Sequence, residues 1–243
     1  MSDSVQDKIK KNKDAFAASF FRICLKAFEN ILPYTNFKLK NFYNKTDFPW
    51  LQILEDNAAV IKEEYLRNTN IHKIISVQDI NKRLQDFSYD DGWKVVLLKS
   101  YDTIIEKNAA LYPNTMKVIN QIPNVSNAIF SVLSPKKNIQ VHRGMYRGIV
   151  FIHLGVFVPP PNNRHTFIVR DEKKHWKEGE AFGFEDSFMH EVVNNSDDYR
   201  AILLLEVERK DIPKLLKPVH NWIFNKLKTN ANTKLIIENA NAS

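Results

Sequence analysis

Hydrophobic positions follow two rhythms along the chain, and the change falls near residue 125. Before it the spacing is helical. Asp7 to Leu32 carries Ile9, Phe16, Phe20, Cys24, Phe28 and Ile31 on one stripe of a 3.6-residue repeat, and Pro33 ends it because proline has no N–H to continue the ladder. Asp47-Phe48-Pro49 predicts a helix start, with Trp50, Ile53, Leu54, Val60, Ile61 and Tyr65 as its buried stripe. Val77 to Phe87 predicts a short third helix, Trp93 to Lys99 a strand, and Thr103 to Gln121 a helix stopped by Pro123.

From Val125 onward the pattern turns strand-like. The expected strands are Ala128–Leu133, Ile139–His142, Gly148–Val158, Arg164–Arg170, Glu180–Phe184, Phe188–Val193 and Arg200–Glu208. Ser134-Pro135, Pro159 to Asn163, Glu178-Gly179 and Asn194 to Asp198 supply the turns between them. A strand about every ten residues predicts an antiparallel sandwich or barrel. Asp211 to Leu227 returns to a helix, and the polar tail Asn230 to Ser243 is expected to fray. Residues 1–124 are expected to form a mainly helical region packed on the barrel, 125–210 the barrel, and 211–243 a helix and tail. The class is α+β.

Composition narrows the field. Of 243 residues, 44% are hydrophobic and 26% charged, which excludes a disordered chain, a collagen-like repeat and a coiled-coil rod. A single cysteine, Cys24, excludes a disulfide framework and a Cys-rich zinc module. The run Gly148 to Asn163 is interrupted by His153 and by Pro159-Pro160-Pro161, too short and too broken for a membrane span of about 20 apolar residues. No signal-peptide core follows the polar stretch Met1 to Lys13. A cytoplasmic protein is expected.

Charge and glycine mark different regions. The net charge is +7, and residues 1–46 hold nine Lys/Arg against four Asp/Glu. A solvated helix face explains this excess; peripheral contact with an anionic membrane through the basic N-terminal helix is the functional reading, and no nucleic acid partner is expected. Five of the six glycines lie between Gly144 and Gly183, so tight turns and close backbone approach concentrate there.

The same region carries the chemistry. Phe188–Val193 and Arg200–Leu205 flank a five-residue turn and are read as a hairpin, which sets His190 near Arg200 on one face. An arginine pointing into an apolar barrel needs an anion, because an unpaired buried charge is very costly. His142 lies at a strand end before Gly144, and His153 lies inside the next apolar run. Imidazole is a common ligand of first-row metals, so the three histidines are candidates for a metal site. His72, His165, His175 and His220 are read as surface or packing residues.

The ordered runs His142-Arg143-Gly144, His153-Leu154-Gly155, Trp176-Lys177-Glu178-Gly179-Glu180 and Phe184-Glu185-Asp186-Ser187-Phe188-Met189-His190-Glu191-Val192, followed by Arg200, resemble the aspartyl/asparaginyl β-hydroxylase family. The resemblance covers roughly residues 125–210. It implies a double-stranded β-helix (a jelly-roll, cupin-like barrel) with supporting N-terminal helices and a C-terminal helix. It also implies an iron(II)- and 2-oxoglutarate-dependent dioxygenase. His142 and His190 would be the metal ligands and catalytic residues. Arg200 would pair with the distal carboxylate of 2-oxoglutarate, Ser131 would hydrogen-bond the same carboxylate, and His153 would lie near the cosubstrate.

Iron sites of this chemistry use two histidines and a carboxylate, and the carboxylate normally stands two residues after the first histidine. Here that position is Gly144, so two protein ligands are expected; Glu185 and Asp186 are not read as replacements. Ile149 and Phe151 stand where many relatives carry polar or basic residues. The implied reaction consumes dioxygen and 2-oxoglutarate and hydroxylates an unactivated C–H bond, of an Asp/Asn side chain in a protein or peptide or of a lipid acyl chain. The alternative is a catalytically inactive oxygenase fold that binds an anion and docks on a membrane or partner.

Overall fold

Val125–Leu133, Ile149–Phe157 and Arg200–Glu208, three nine-residue and largely apolar runs, are adjacent strands at the centre of one sheet. They are buried on both sides, which is why their polarity does not alternate cleanly. The computed structural model describes residues 2–35, 37–70, 74–80 and 91–242. His72 and the second half of the helix expected at Val77–Phe87 lie outside the described residues.

In chain order the strands are β1 (Phe42–Tyr43), β2 (Ile75–Ser76), β3 (Trp93–Ser100), β4 (Thr103–Ile104), β5 (Val125–Leu133), β6 (Asn138–His142), β7 (Ile149–Phe157), β8 (His165–Val169), β9 (Glu172–His175), β10 (Ala181–Phe184), β11 (His190–Asn194) and β12 (Arg200–Glu208). The helices are α1 (Ser2–Ile31), α2 (Leu51–Asp56), α3 (Ala58–Asn68), α4 (Val77–Ile80), α5 (Glu106–Ala109), α6 (Pro113–Ile119), α7 (Lys217–Thr229) and α8 (Ala231–Ala242). The larger sheet runs β1-β10-β7-β12-β5-β3-β2 with β4 on β3, and the smaller runs β6-β11-β8-β9. Every strand pair in both is antiparallel.

Side chains of the two sheets meet in one buried cluster: Leu133, Phe182, Phe184 and Ile202 from the larger, Ile139, Phe167, Val169 and Val192 from the smaller. The outer face of the larger sheet is covered by α2, α3 and α6, where Leu51, Leu54, Ile61, Tyr65, Met116 and Ile119 pack with Phe130, Leu203 and Leu205. Two antiparallel sheets closed on a shared interior, with helices on one outer face, make the α+β double-stranded β-helix that was expected.

The chain divides into two compact units: residues 39–209 with 229–243, which hold the barrel, and residues 1–38 with 210–228. In the second unit Leu25 and Phe28 on α1 and Leu32 just after it are buried, as are Leu216 just before α7 and His220 and Ile223 on it. Phe28 stacks on His220, with ring centres 6.2 Å apart.

Three local expectations need correction. The segment 103–121 is a short strand and two short helices rather than one helix. The tail does not fray: α8 buries Thr233 and Ala240, and Ile236 and Ile237 pack beside Val95, Leu97 and Ile105. Most important, β11 and β12 are not a hairpin. β11 pairs with β6 and β8 in the smaller sheet, whereas β12 pairs with β5 and β7 in the larger. The intervening residues turn a corner between sheets, built on Asn194. Its side-chain amide donates to the carbonyls of Ser134 (2.8 Å) and Asp198 (3.1 Å), and its Oδ1 accepts from the Ser196 N–H (3.0 Å).

Candidate functional site

His142 and His190 sit directly opposite each other across β6 and β11, so the pleat sends both imidazoles to one face. Their ring centres are 4.2 Å apart. Each ring is oriented in the same way, by a backbone carbonyl two residues earlier: Nδ1 of His142 lies 2.6 Å from Gln140 O, and Nδ1 of His190 lies 2.8 Å from Phe188 O. A carbonyl only accepts, so Nδ1 carries the proton and the lone pair of each neutral ring is on Nε2. A second hydrogen bond of this kind is what fixes the tautomer of a metal-ligating histidine. Burial lowers the pKa of both rings, that of His190 to about 4 with His142 adding to the effect, so both are neutral at pH 7. Neutral imidazole is the form that binds a metal ion.

Gly144 sits just beyond His142, and its surroundings explain the missing side chain. A Cβ built there would lie 1.4 Å from Asp186 Oδ2. The Gly144 N–H donates to the Asp186 carbonyl at 2.8 Å, which locks the two segments together. Asp186 Oδ1 is 3.6 Å from His190 Nε2. Burial, with Glu206 and Glu185 nearby, holds the Asp186 carboxyl well above the ordinary range. Asp186 was set aside at the level of sequence; the structure puts its carboxylate in the space that a side chain at 144 would claim. Among the described residues no three His, Cys, Asp or Glu side chains are grouped closely enough to hold a metal ion by themselves.

Arg200 opens β12 opposite Leu133 of β5, and Ile202 is opposite Ser131, so Arg200 and Ser131 share the interior face. Arg200 is buried, and its Nε and Nη1 have no hydrogen-bond partner. Its guanidinium lies over the Trp176 ring, 4.4 Å from the centre. Burial pushes its pKa down to about 9. Ser131 Oγ accepts a hydrogen bond from Trp93 Nε1 at 3.0 Å, which leaves its own O–H to donate elsewhere. Trp176 Nε1 donates to His153 Nδ1 at 3.3 Å, so the proton of neutral His153 is on Nε2. Burial first, then Arg200 and His190, keep His153 uncharged. Aromatic contacts connect the two ends of the site: His153 lies 4.9 Å from Phe184, and Phe184 lies 5.2 Å from His190, ring centre to ring centre.

All five predicted residues, Ser131, His142, His153, His190 and Arg200, therefore belong to one barrel interior. Sequence reasoning missed Trp176, the platform beneath Arg200, although it stands in a run that had been singled out. It also missed the support behind Asp186. Neighbouring Glu185 is fully buried and paired with Arg209 at 2.7 Å, Ser187 Oγ donates to it at 2.7 Å, and Arg209 also donates to Tyr43 at 2.8 Å. Of the other histidines, His165 is buried with Nε2 3.1 Å from Pro159 O, His175 is exposed beside Thr166, and His220 is buried in the second unit.

The class defined by these features is a jelly-roll barrel with a paired-histidine site and an interior arginine. The family model for aspartyl/asparaginyl β-hydroxylases matches residues 55–210, and the chain belongs to that family. It is 33% identical over 168 residues to an ornithine lipid ester-linked acyl 2-hydroxylase of Rhizobium tropici, covering 68% of this chain and 59% of that protein. It is 28% identical over 156 residues to aspartate β-hydroxylase domain-containing protein 2 of Xenopus tropicalis, covering 58% of this chain and 38% of that protein. The chain thus spans less than two thirds of the length of these relatives. A prolyl-4-hydroxylase of Pseudomonas putida aligns with 65% of this chain and 87% of its own at a TM-score of 0.39 and 13% identity. Among the described residues no helix is long and apolar enough to cross a membrane.

Proposed function

We propose that this chain is an iron(II)- and 2-oxoglutarate-dependent dioxygenase that hydroxylates an unactivated C–H bond. The observation that carries the reading is the buried guanidinium of Arg200, with Nε and Nη1 unpartnered, in the same interior as two imidazoles whose lone pairs are fixed on Nε2. A buried cation without a counter-charge fits a small dianion, and the imidazole pair fits a divalent ion. Bound there, iron(II) with 2-oxoglutarate and dioxygen supplies the oxidation of C–H to C–OH.

The protein's own residues supply position and charge. His142 and His190 would hold the ion through Nε2. Asp186, whose Oδ1 lies 3.6 Å from His190 Nε2, would stand beside the ion as an outer partner. Arg200 would grip the far carboxylate of 2-oxoglutarate in a fork, held flat by Trp176. Ser131 would donate its O–H to the same group, and His153 its Nε2–H into the same interior. Phe151, Phe184, Phe188 and Ile202 are apolar neighbours that exclude water.

For the substrate we take a lipid acyl chain, because the relative sharing 33% identity is an acyl hydroxylase; an Asp or Asn side chain is the second reading, favoured by the family match. The test is succinate release by the full chain with iron(II) and 2-oxoglutarate, alongside His190→Ala. Activity lost in the variant is the expected result. Equal background in both proteins leaves an inactive, anion-binding barrel as the correct account. Mass spectrometry of lipids and proteins for a one-oxygen gain that depends on the wild-type chain then assigns the substrate.

A further inference from the structure

The excess charge of this protein is confined to one of its two units. Residues 1–38 and 210–228 hold twelve Lys/Arg against five Asp/Glu, a formal +7. That equals the net charge of the whole chain, so the barrel unit is formally neutral.

The same small unit shows water an apolar stripe. On α1 the exposed positions Phe20, Ile23, Ala27 and Ile31 fall within an arc of about 80° at the helical repeat of 100° per residue. Phe20 is 50% exposed and Ile23 63%. Tyr34 follows at 91%, and in the segment before α7 Leu215 is 85% exposed. The buried face of α1, with Leu25 and Phe28, is a different one; Phe20 also meets Trp222 of α7 edge-on, with ring centres 5.7 Å apart, so the outermost part of the stripe is Ile23, Ala27 and Ile31. Lysines flank it. Lys26 lies three residues from Ile23 and Lys38 four from Tyr34, and Leu215 stands between Lys214 and Lys217, all four lysines exposed.

We infer that this helical unit docks the protein on an anionic lipid bilayer. An amphipathic helix with large apolar side chains beside lysines lies in the interface plane, apolar face toward the acyl boundary and cations against lipid phosphates. The alternatives fit less well. A second copy would bring two +7 surfaces together, and aliphatic Ile23, Ile31 and Leu215 offer nothing to the phosphates or base edges of a nucleic acid. The inference does not depend on the oxygenase reading, because it is read as binding without turnover.

The experiment is sedimentation of the full chain with vesicles of phosphatidylcholine alone and of phosphatidylcholine mixed with phosphatidylglycerol, at low and high salt. Expected is co-sedimentation with the anionic vesicles that weakens by about tenfold or more in high salt, as a lysine-driven contact must. Two exposed-site double variants, Ile23→Asp with Leu215→Asp and Lys214→Glu with Lys217→Glu, should each weaken it about tenfold with an unchanged melting temperature. Failure to pellet, or equal pelleting with both vesicle types, overturns the proposal. So does a concentration-dependent dimer in sedimentation velocity that Ile23→Asp dissolves, since the stripe would then belong to a second copy.

Discussion

Asp186 fills the place of a side chain that residue 144 does not have: a Cβ on Gly144 would lie 1.4 Å from Asp186 Oδ2, and the other carboxylate oxygen stands 3.6 Å from His190 Nε2. The carboxylate comes from the loop ahead of the second histidine rather than from the turn after the first. Its backbone is tied to Gly144, so the substitution is a property of two segments folded together.

Gly144→Ala is therefore expected to push Asp186 aside and weaken binding of iron(II) or manganese(II) by about 10–100-fold, the usual cost of disturbing an outer partner of a metal site. Gly144→Asp combined with Asp186→Gly should recover more affinity than Gly144→Asp alone. Anaerobic calorimetry measures both. An affinity that ignores Gly144→Ala would show that Asp186 has no bearing on the ion.

Arg200→Met separates charge from packing. Methionine keeps an unbranched chain in the interior while the guanidinium over Trp176 is lost. We expect 2-oxoglutarate to raise the melting temperature of the wild type and not of the variant, with binding weaker by about 2–3 kcal/mol. Without ligand the variant should melt at a temperature equal to or higher than the wild type, because a buried cation with two unpartnered nitrogens has gone. A variant that still binds 2-oxoglutarate with wild-type affinity would move the anion site elsewhere.

Glu206 gives a pH signature. It accepts a hydrogen bond from Asn127 at 2.6 Å, yet burial lifts its pKa to about 7. The folded protein then holds a proton between about pH 4.5 and 7 that the unfolded chain releases. Its stabilising contribution is complete below the unfolded value and is lost as the pH rises through about 7. Glu206→Gln should thus stabilise the protein at about pH 8 by roughly 1–3 kcal/mol, the lower end reflecting the residue's partial solvent contact, and leave it unchanged near pH 4. Equal gains at both values would point to packing rather than protonation.

The Glu185–Arg209 pair is buried on both sides. Arg209→Met should destabilise the fold by about 3–5 kcal/mol by leaving Glu185 buried without a counter-charge. Adding Glu185→Gln should restore much of the loss. Denaturant melts of the single and double variants decide, and full additivity would deny the coupling.

Much of the barrel was legible because strand burial leaves a strong periodic mark. All seven strands expected after Val125 exist within a few residues of their forecast limits. Four others, β1, β2, β4 and β9, are two to four residues long and carry too little pattern to be seen. His142, His190 and Arg200 were legible from residue type and order. Which of two adjacent acids enters the site was not: Glu185 turns to Arg209 and Asp186 to Gly144, and only distant partners make that choice. The corner at Asn194 was hidden for a similar reason. Five polar residues between two strands describe a hairpin loop and a crossing equally well, and one of the carbonyls that decide, on Ser134, stands some 60 positions earlier, just past the end of β5. The tail was misjudged because its asparagines mask the stripe formed by Thr233, Ile236, Ile237 and Ala240.

The corner also has a mechanical result. His190 and Arg200 are only ten positions apart, but they stand on opposite walls of the sandwich. Anything rigid that touches both is a strut between the walls, and it must slow their breathing. Amide exchange in β8 and β11 should then respond to a small diacid gripped from β12, even though those strands pair with none of the arginine's own sheet partners.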